Sequence, residues 1–414
     1  CAMTTRTIPD VVRDRQVEAS DPAASVWVAA NAGAGKTHVL AQRVIRLLLQ
    51  DFDPAKILCI TFTKAAAANM ANRVFDDLRK WTALDDAQLD EAIRTISNEK
   101  PSAALRARAR RLFALALETP GGLKVQTIHA FCTSLLHLFP FEANVAARFS
   151  VLDEATQTQL LDKLTLAVLL EAAAAPDQPL GRALAGAIVA AADVTFRDMV
   201  AEAIGKRDGL TAWIEAAGGV DGAIAQLSQS LGIDPADSDD TVNAEFFGGA
   251  LIASSEWKAI ASALKQGSKT DAEQGNRFSS LPALGGTERL DTYLQIFCTQ
   301  SMTKRERIVT KAIRDEYPEL CQRLSAEQDR ILALIARRRA IAARDRSAAL
   351  ITIAHAVLAR YRAEKDRRGL LDYDDLIDKA RALLENVSSA WVHYKLDRGI
   401  DHVLIDEAQD TSPK

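Results

Sequence analysis

The stretch AANAGAGKTH, residues 29–38, constrains the fold of this chain more than any other segment. It joins SVWVAA, residues 25–30, which is typical of a buried strand, to GKTHVLAQRVIRLLLQ, residues 35–50, which has the apolar spacing of an amphipathic helix. Glycines at such a junction let successive backbone N–H groups face a polyphosphate at the positive end of the helix. The stretch therefore predicts a phosphate-binding loop that opens a helix.

The fixed positions of this loop are those of the pattern G-x-x-x-x-G-K-[ST]. Ala30 stands where the first glycine is expected, while Gly35, Lys36 and Thr37 match. We expect Lys36 to reach the terminal phosphates and the Thr37 hydroxyl to coordinate Mg²⁺. An ordinary glycine turn with an incidental lysine is the alternative interpretation.

The same alternation of short apolar runs and helical patterns recurs along the chain. ILCITF at 57–62 is a predicted strand, and KAAAANMANRVFDDLRKW at 64–81 is a predicted helix. VQTI at 125–128 and HVLID at 402–406 are further predicted strands. Strands and helices in alternation with short connections predict a parallel sheet with covered faces, so the fold class is α/β.

An all-helical insertion is predicted inside this fold, because Ala-rich helical patterns replace strand patterns over residues 151–368. The predicted domain organisation is therefore 1–150, the insert at 151–368, and a return to the sheet at 369–414. Residues 318–368 keep a helical period, which as one helix would be roughly 70 Å long. Two polar stretches are predicted surface loops, at 232–240 and 265–280.

Two adjacent acids follow the last predicted strand. At that strand tip Asp406 would hold Mg²⁺ through its water shell, opposite Thr37. Glu407 would polarise a water for in-line attack on a γ-phosphate. The alternative is an acidic turn at a strand exit without catalytic meaning.

Bulk composition narrows the classes of protein. No apolar run approaches the roughly 20 residues of a membrane helix, and no signal peptide is visible. The five cysteines show no metal-ligand spacing and fit free thiols in a reducing, cytoplasmic compartment. The net charge of −4 gives no hint of a polyanionic partner. The basic runs at 100–111 and 336–346 are typical of solvated helix faces, the second also being a weak pointer to duplex DNA.

Several motifs, taken together, resemble superfamily 1 DNA helicases of the UvrD, Rep and RecB branch. VLIDEAQD resembles the DExQD box of that family, and AxAGxGKT is its form of the phosphate loop. The other matching segments, in family order, are RQVEASDP at 15–22, TFTKAAAANMANRV at 61–74, TIHAFC at 127–132 and GLLDYDDLI at 369–377. The resemblance implies a RecA-like lobe. Within the family, the extended WVAANAGAGKT and FTKAAAANMANRVF stretches and the large insert most resemble AddA, the helicase–nuclease subunit type of bacterial AddAB repair complexes.

This resemblance implies a set of site residues. The catalytic set is Glu407, Lys36 and Gln409, and the metal set is Thr37 and Asp406. The nucleotide set is Gln16, which would read adenine, with Ala32, Gly33, Ala34, Gly35, Lys36, Thr37 and His38. The single-stranded DNA set is Thr61, Thr63, Lys64, Thr127, His129 and Phe131. Phe131 as a core residue and His129 as a structural histidine remain open alternatives.

The implied cofactors are ATP and Mg²⁺, and the implied partners are DNA and an AddB-like subunit. Asn69 stands where the family usually has Glu, Lys64 and Ala65 stand where Asn and Lys are common, and His38 replaces an Arg. A second lobe and a nuclease domain are also implied, and neither follows Lys414. We therefore expect an amino-terminal fragment that binds nucleotide weakly, hydrolyses it slowly if at all and does not unwind DNA.

Two other functions stay open on the sequence alone. The first is a nucleotide-gated DNA-binding or scaffold module without hydrolysis, against which Glu407 argues for the parent protein. The second is a small-molecule P-loop kinase, a class that usually lacks TxHxFC and DEAQD. Stimulation of ATP hydrolysis by DNA would separate a helicase from such a kinase.

Overall fold

The computed structural model describes residues 10–29, 31, 35–97, 101–120, 122–190, 193–385 and 390–408. The chain divides into two compact units. Unit 1 comprises Cys1–Gln157 and Lys365–Lys414, and unit 2 comprises Thr158–Glu364. Among the described residues, none of the helices combines the length and the apolar character that crossing a bilayer requires.

The chain is mostly helical. In chain order the helices are α1 (Asp10–Ala19), α2 (Lys36–Leu49), α3 (Lys64–Ala83), α4 (Asp86–Ser97), α5 (Ala103–Glu118), α6 (Ile128–Leu138), α7 (Glu154–Ala174), α8 (Pro179–Ala190), α9 (Asp193–Gly205), α10 (Arg207–Ala216), α11 (Val220–Ser230), α12 (Asp239–Gly248), α13 (Trp257–Leu264), α14 (Lys269–Ser280), α15 (Gly286–Phe297), α16 (Lys311–Glu316), α17 (Pro318–Arg368), α18 (Tyr373–Glu385) and α19 (Ala390–Gly399). The strands are β1 (Ile57–Thr61), β2 (Lys124–Thr127), β3 (Ser150–Val151), β4 (Leu370–Leu371) and β5 (His402–Ile405).

A parallel sheet organises unit 1, with strand order β2-β1-β5. Thr61 pairs with Thr127 across one side of β1, and Ile60 pairs with Ile405 across the other. Apolar residues of α2, α3, α4 and α5 pack with β1 into one buried core. The predicted strands at 57–62, 125–128 and 402–406 are confirmed with slightly shorter bounds, and so is the α/β class with a parallel sheet and extensive helical insertion.

The predicted strand at 25–30 is wrong for its described part, since residues 25–29 join no sheet. The side chain of Trp27 is 78% exposed there. Arg43 of α2 donates hydrogen bonds to the carbonyls of Asp21 and Ala24, both at 2.6 Å. These contacts hold the chain that leads into the segment against α2. The apolar pattern is that of a strand, but a strand also needs a pairing partner for its backbone.

Unit 2 is built from helices around two buried cores. One core gathers apolar side chains of α12 to α15 against the first half of α17, and the other gathers those of α7 to α9 against its second half. The predicted continuous helix at 318–368 is confirmed as α17, with 51 residues. At 1.5 Å per residue it is about 75 Å long.

The predicted loop at 265–280 is wrong in its larger part, which forms α14. Ser268 and Asp271 exchange hydrogen bonds in a capping box that starts this helix. Gln274 and Phe278 are buried on one face of it. The polar composition suggested a loop, whereas the cap and one buried face are sufficient for a helix.

The basic run ARRRAIAARDR lies in α17 and is used inside unit 2. Arg337 forms an ion pair with Asp237, and Arg344 donates to the carbonyl of Asp237 at 2.8 Å. The Arg338 guanidinium lies 5.9 Å from the ring centre of Phe246. These arginines hold neighbouring segments to α17, so a purely solvated face is the wrong interpretation, and their contacts give no support to a role in DNA binding.

Candidate functional site

The predicted motifs meet at one edge of the sheet in unit 1. Because β1, β2 and β5 are parallel, their carboxyl ends, Thr61, Thr127 and Ile405, lie at the same edge. Ligands of open α/β sheets bind beyond the carboxyl ends of the strands. The order of strands thus places the residues that follow each strand around a single region.

The start of α2 has the backbone geometry of an anion-binding helix end. Gly35 precedes the helix with φ 90° and ψ 23°, a left-handed conformation that glycine adopts without strain. The first turn of α2 contains no acidic residue. A Cβ at Gly35 would lie 3.0 Å from Nε2 of Gln16, so the predicted adenine-reading glutamine is beside the loop. Ala30, Ala32, Gly33 and Ala34 lie outside the described residues.

The acidic pair lies beside this helix start. Lys36 Nζ is 3.5 Å from Glu407 Oε2, although the two residues are 371 positions apart. Asp406 is 7% exposed, and its backbone N–H donates to the Ile60 carbonyl at 2.9 Å. Glu407 has φ 52°, and its N–H donates to Asp406 Oδ1 at 3.1 Å. This left-handed turn directs the chain out of β5 while both carboxylates stay at the strand end. Gln409 lies outside the described residues.

The electrostatics of this pair favour a cation. Burial raises the pKa of Asp406 above its ordinary value, the charge of Glu407 raises it further, and Lys36 opposes the rise. Within the described residues there is no cluster of three or more His, Cys, Asp or Glu side chains that could enclose a metal. Mg²⁺ keeps several waters and needs only one or two carboxylates besides phosphate oxygens. The donor set of Asp406 and Thr37 therefore fits Mg²⁺ bound together with a phosphate.

A cavity of about 290 Å³ adjoins the pair. Its lining includes Trp27 and Val28 from the extended segment, Lys36 from α2, and Asp406 and Glu407 after β5. The volume lies at the lower end of the range for small-molecule sites. The charged groups thus border a concave, partly apolar space.

Comparison with known proteins identifies the family. A family model described as the UvrD/REP helicase N-terminal domain matches residues 12–414. The chain belongs to this family.

Curated relatives from this helicase family are each named as the A subunit of an ATP-dependent helicase/nuclease. The protein from Ligilactobacillus salivarius (strain UCC118) is 29% identical over 149 residues, which are 36% of this chain and 10% of that protein. The protein from Moorella thermoacetica (strain ATCC 39073 / JCM 9320) is 33% identical over 185 residues, 43% of this chain and 11% of that protein. The matched part thus spans about a tenth of the length of these relatives.

His38, predicted to contact nucleotide, faces α3 in this helicase domain. Its Nδ1 is buried without a hydrogen-bond partner among the residues the structure describes. Burial lowers the pKa of His38, Arg73 lowers it further, and Asp77 partly offsets the effect. The imidazole is therefore held neutral, and its free ring nitrogen is one polar atom in this region that still lacks a partner.

The threonines predicted to contact DNA use their hydroxyls within the protein. Thr61 is 1% exposed and donates to the Thr63 carbonyl at 3.1 Å. Thr63 and Thr127 cap the starts of α3 and α6, where their side-chain oxygens accept backbone N–H groups at 3.1 and 3.2 Å. A capping hydroxyl can still donate its proton outward, and Thr63 is exposed while Thr127 is buried. Of the three, Thr63 has the geometry best suited to a phosphate.

The remaining predicted DNA residues differ in their surroundings. Lys64 is exposed at the start of α3, and Phe131 packs against the core between α6 and α18. The His129 ring lies 4.7 Å from the Tyr373 ring, and burial lowers the pKa of His129. Sequence reasoning missed Tyr373, 38% exposed, and Phe62, 50% exposed at the end of β1. Their aromatic type inside two recognised motifs was the available signal.

Proposed function

We propose that unit 1 is the ATP-binding lobe of a DNA helicase or translocase that hydrolyses ATP with Mg²⁺ to move along single-stranded DNA. The observation that carries the proposal is the 3.5 Å contact between Lys36 and Glu407 at the carboxyl edge of the sheet. It brings the phosphate-binding lysine and the acidic motif of this family to one place. Membership in the family supports the same assignment.

Each residue of the site has a physical role in this proposal. Lys36 and the N–H groups at the start of α2 bind the β- and γ-phosphates. The Gln16 amide contacts the adenine edge, and Thr37 and Asp406 hold the metal. Glu407 leaves its contact with Lys36 when phosphate enters, then orients the attacking water and accepts its proton. Mg²⁺, when bound, neutralises charge on the transferred phosphate.

Gln409 is proposed to couple the nucleotide state to DNA, as its motif implies. The DNA itself would pass the carboxyl ends of β1 and β2. Thr63 and Lys64 would contact phosphates there, with Thr61 and Thr127 fixing the loops as caps and braces. His129 and Phe131 would present planar surfaces to bases, together with the exposed Phe62.

The relatives' shared name extends the proposal to the whole protein. We propose that the chain belongs to a helicase–nuclease of double-strand-break repair that works with an AddB-like subunit on DNA ends. The cytoplasm, where bacterial chromosomes lie, is the compartment that this function requires.

A nucleotide titration tests the site. Lys36→Ala should weaken binding of a fluorescent ADP analogue with Mg²⁺ by about tenfold to a hundredfold, because a charge-assisted hydrogen bond contributes roughly 1.5–3 kcal/mol. Lys56→Ala is the matched control, since Lys56 precedes β1 and forms its own ion pair with Asp401 at 3.3 Å. Equal affinity of Lys36→Ala and the unsubstituted chain would remove the basis of the proposal.

Hydrolysis separates the motor from a nucleotide-gated module. Glu407→Gln should keep nucleotide affinity and reduce phosphate release in the presence of single-stranded DNA by roughly 10²–10⁴-fold. Lys56→Ala again serves as control. If Glu407→Gln releases phosphate at the unsubstituted rate, Glu407 is not the base, and the gated module becomes the better description.

A further inference from the structure

Helix α19 carries a second, unassigned surface in unit 1. Its inner face is apolar, because Val392 is fully buried and Leu396 packs against the same core. The outer face has the helical spacing i, i+3, i+4 and i+7, which aligns side chains on one stripe. The members of this stripe, which we call the α19 patch, are Trp391, Tyr394, Lys395 and Arg398.

The α19 patch is ordered by contacts among its own side chains. The rings of Trp391 and Tyr394 have centroids 6.0 Å apart and planes within 22° of parallel. Lys395 Nζ lies 5.1 Å from the Trp391 ring centre, and the Arg398 guanidinium lies 5.6 Å from that of Tyr394. Arg398 also donates to the Tyr394 hydroxyl at 3.0 Å. Two rings and two cations are thus held together before any partner binds.

The patch faces solvent rather than a core. Trp391 is 55% exposed and Tyr394 is 51% exposed. Among the described residues, no carboxylate forms an ion pair with Lys395 or Arg398. An exposed aromatic pair does not help to bury apolar surface, and neighbouring aromatic residues on a surface mark interaction sites. The patch therefore has unused stacking surface and an uncompensated charge of two cations.

The patch lies away from the proposed nucleotide and DNA residues. Helix α19 ends at Gly399, whose carbonyl accepts from Lys124 Nζ at 3.2 Å at the beginning of β2. The next residues lead into the amino end of β5, where the Asp401 N–H donates to the Lys56 carbonyl at 2.9 Å. The proposed nucleotide and DNA residues follow the carboxyl ends of these strands. Any ligand of the patch is therefore a separate contact.

We propose that the α19 patch binds single-stranded nucleic acid, with bases stacking on Trp391 and Tyr394 and phosphates contacting Lys395 and Arg398. Aromatic rings beside cations are the combination that single strands use, because every base has a stacking face and every nucleotide carries a negative charge. An acidic peptide would use only the cations. A single strand uses all four side chains of the patch, and the charge of the patch is complementary to it.

Binding of a fluorescent oligodeoxythymidylate, followed by anisotropy without nucleotide, tests the proposal. Trp391→Ala and Tyr394→Ala should each weaken binding roughly fivefold to a hundredfold, and Trp391→Phe should restore part of the loss. Arg398→Ala should lower the slope of log affinity against log salt by about one. Phe141→Ala and Arg381→Ala are controls that remove an 87% exposed ring and an exposed cation elsewhere in unit 1.

Two results would overturn the proposal. One is unchanged oligonucleotide affinity in the patch variants, once circular dichroism shows that they are folded. The other is displacement by polyglutamate as effective as displacement by unlabelled oligonucleotide, which would indicate an acidic protein partner. The readout is independent of the proposed motor, because Lys36→Ala tests nucleotide binding in the same preparations. Loss of DNA binding in patch variants together with unaffected nucleotide binding in Lys36→Ala would sink the motor and keep the patch.

Discussion

At the scale of single residues, the buried charge of Lys365 connects two motifs of unit 1. Its Nζ lies 2.9 Å from Asp372 Oδ2 and also contacts Asp375. Asp372 is fully buried, and its N–H donates to Asp375 Oδ2 at 2.9 Å. Lys365 thereby fixes the start of α18, which carries the Tyr373 ring beside His129.

Lys365→Met should lower the free energy of unfolding by about 3–5 kcal/mol, because it leaves buried carboxylates without a counter-charge. Lys80→Met is the matched control, since Lys80 pairs with Asp77 at 2.9 Å on the surface, where such pairs contribute about 0–1 kcal/mol. Urea unfolding followed by circular dichroism measures both. Equal losses in the two variants would contradict a special role for the buried lysine.

The candidate site was predictable where one residue type has one use, and less so where a side chain has local alternatives. Lys36 and Glu407 came from compact motifs, and the structure brings them together. The hydroxyls of Thr63 and Thr127 were predicted to meet DNA, but each accepts a backbone N–H at a helix start. Thr oxygens compete for nearby backbone groups, and the sequence alone does not show which partner wins.

At the scale of elements, a glycine sets how closely α13 and α14 approach. A Cβ added at Gly275 in α14 would lie 2.8 Å from the Ala261 carbonyl oxygen of α13. Carbon and oxygen atoms do not approach this closely without a shift of one helix. The small residue is therefore required by the crossing of the two helices.

Gly275→Ala should destabilise unit 2 by about 1–3 kcal/mol, the usual cost of overpacking. Gly209→Ala in α10 is the control, because nothing lies within 4 Å of the added Cβ. That change should be neutral or stabilise by up to about 1 kcal/mol, the difference in helix propensity. Thermal unfolding compares the two, and a stabilised Gly275→Ala would show that the helices are less closely packed than described.

Prediction of elements succeeded where composition and environment agree. β1 is apolar throughout and paired on both sides, so its sequence could be read directly. Residues 25–29 have a similar composition but no pairing partner in the described chain, and α14 has a polar composition but a capped start and a buried face. Both errors arise from tertiary contacts that a local pattern does not contain.

At the scale of the whole molecule, the proposed nucleotide residues all belong to unit 1, while unit 2 has cores of its own. A ligand that binds only the folded state stabilises the part that forms its site. At a hundred times its dissociation constant the gain is about 2.7 kcal/mol. This difference between the units can be measured.

Hydrogen exchange with and without Mg·ADP should show slower exchange at the start of α2 and after β5, with α13 to α15 as an internal reference in unit 2. The reason is that nucleotide adds partners to the N–H groups at the site. Protection confined to α13–α15, with none at α2, would place the ligand elsewhere.

The outer edge of β5 has a consequence for handling the protein. Among the described residues β5 pairs only with β1, and Val403 and Ile405 are 55% and 49% exposed. Open backbone groups beside half-exposed aliphatic side chains are a template on which a foreign strand can add. Concentrated samples are thus at risk of edge-to-edge aggregation at this one short border.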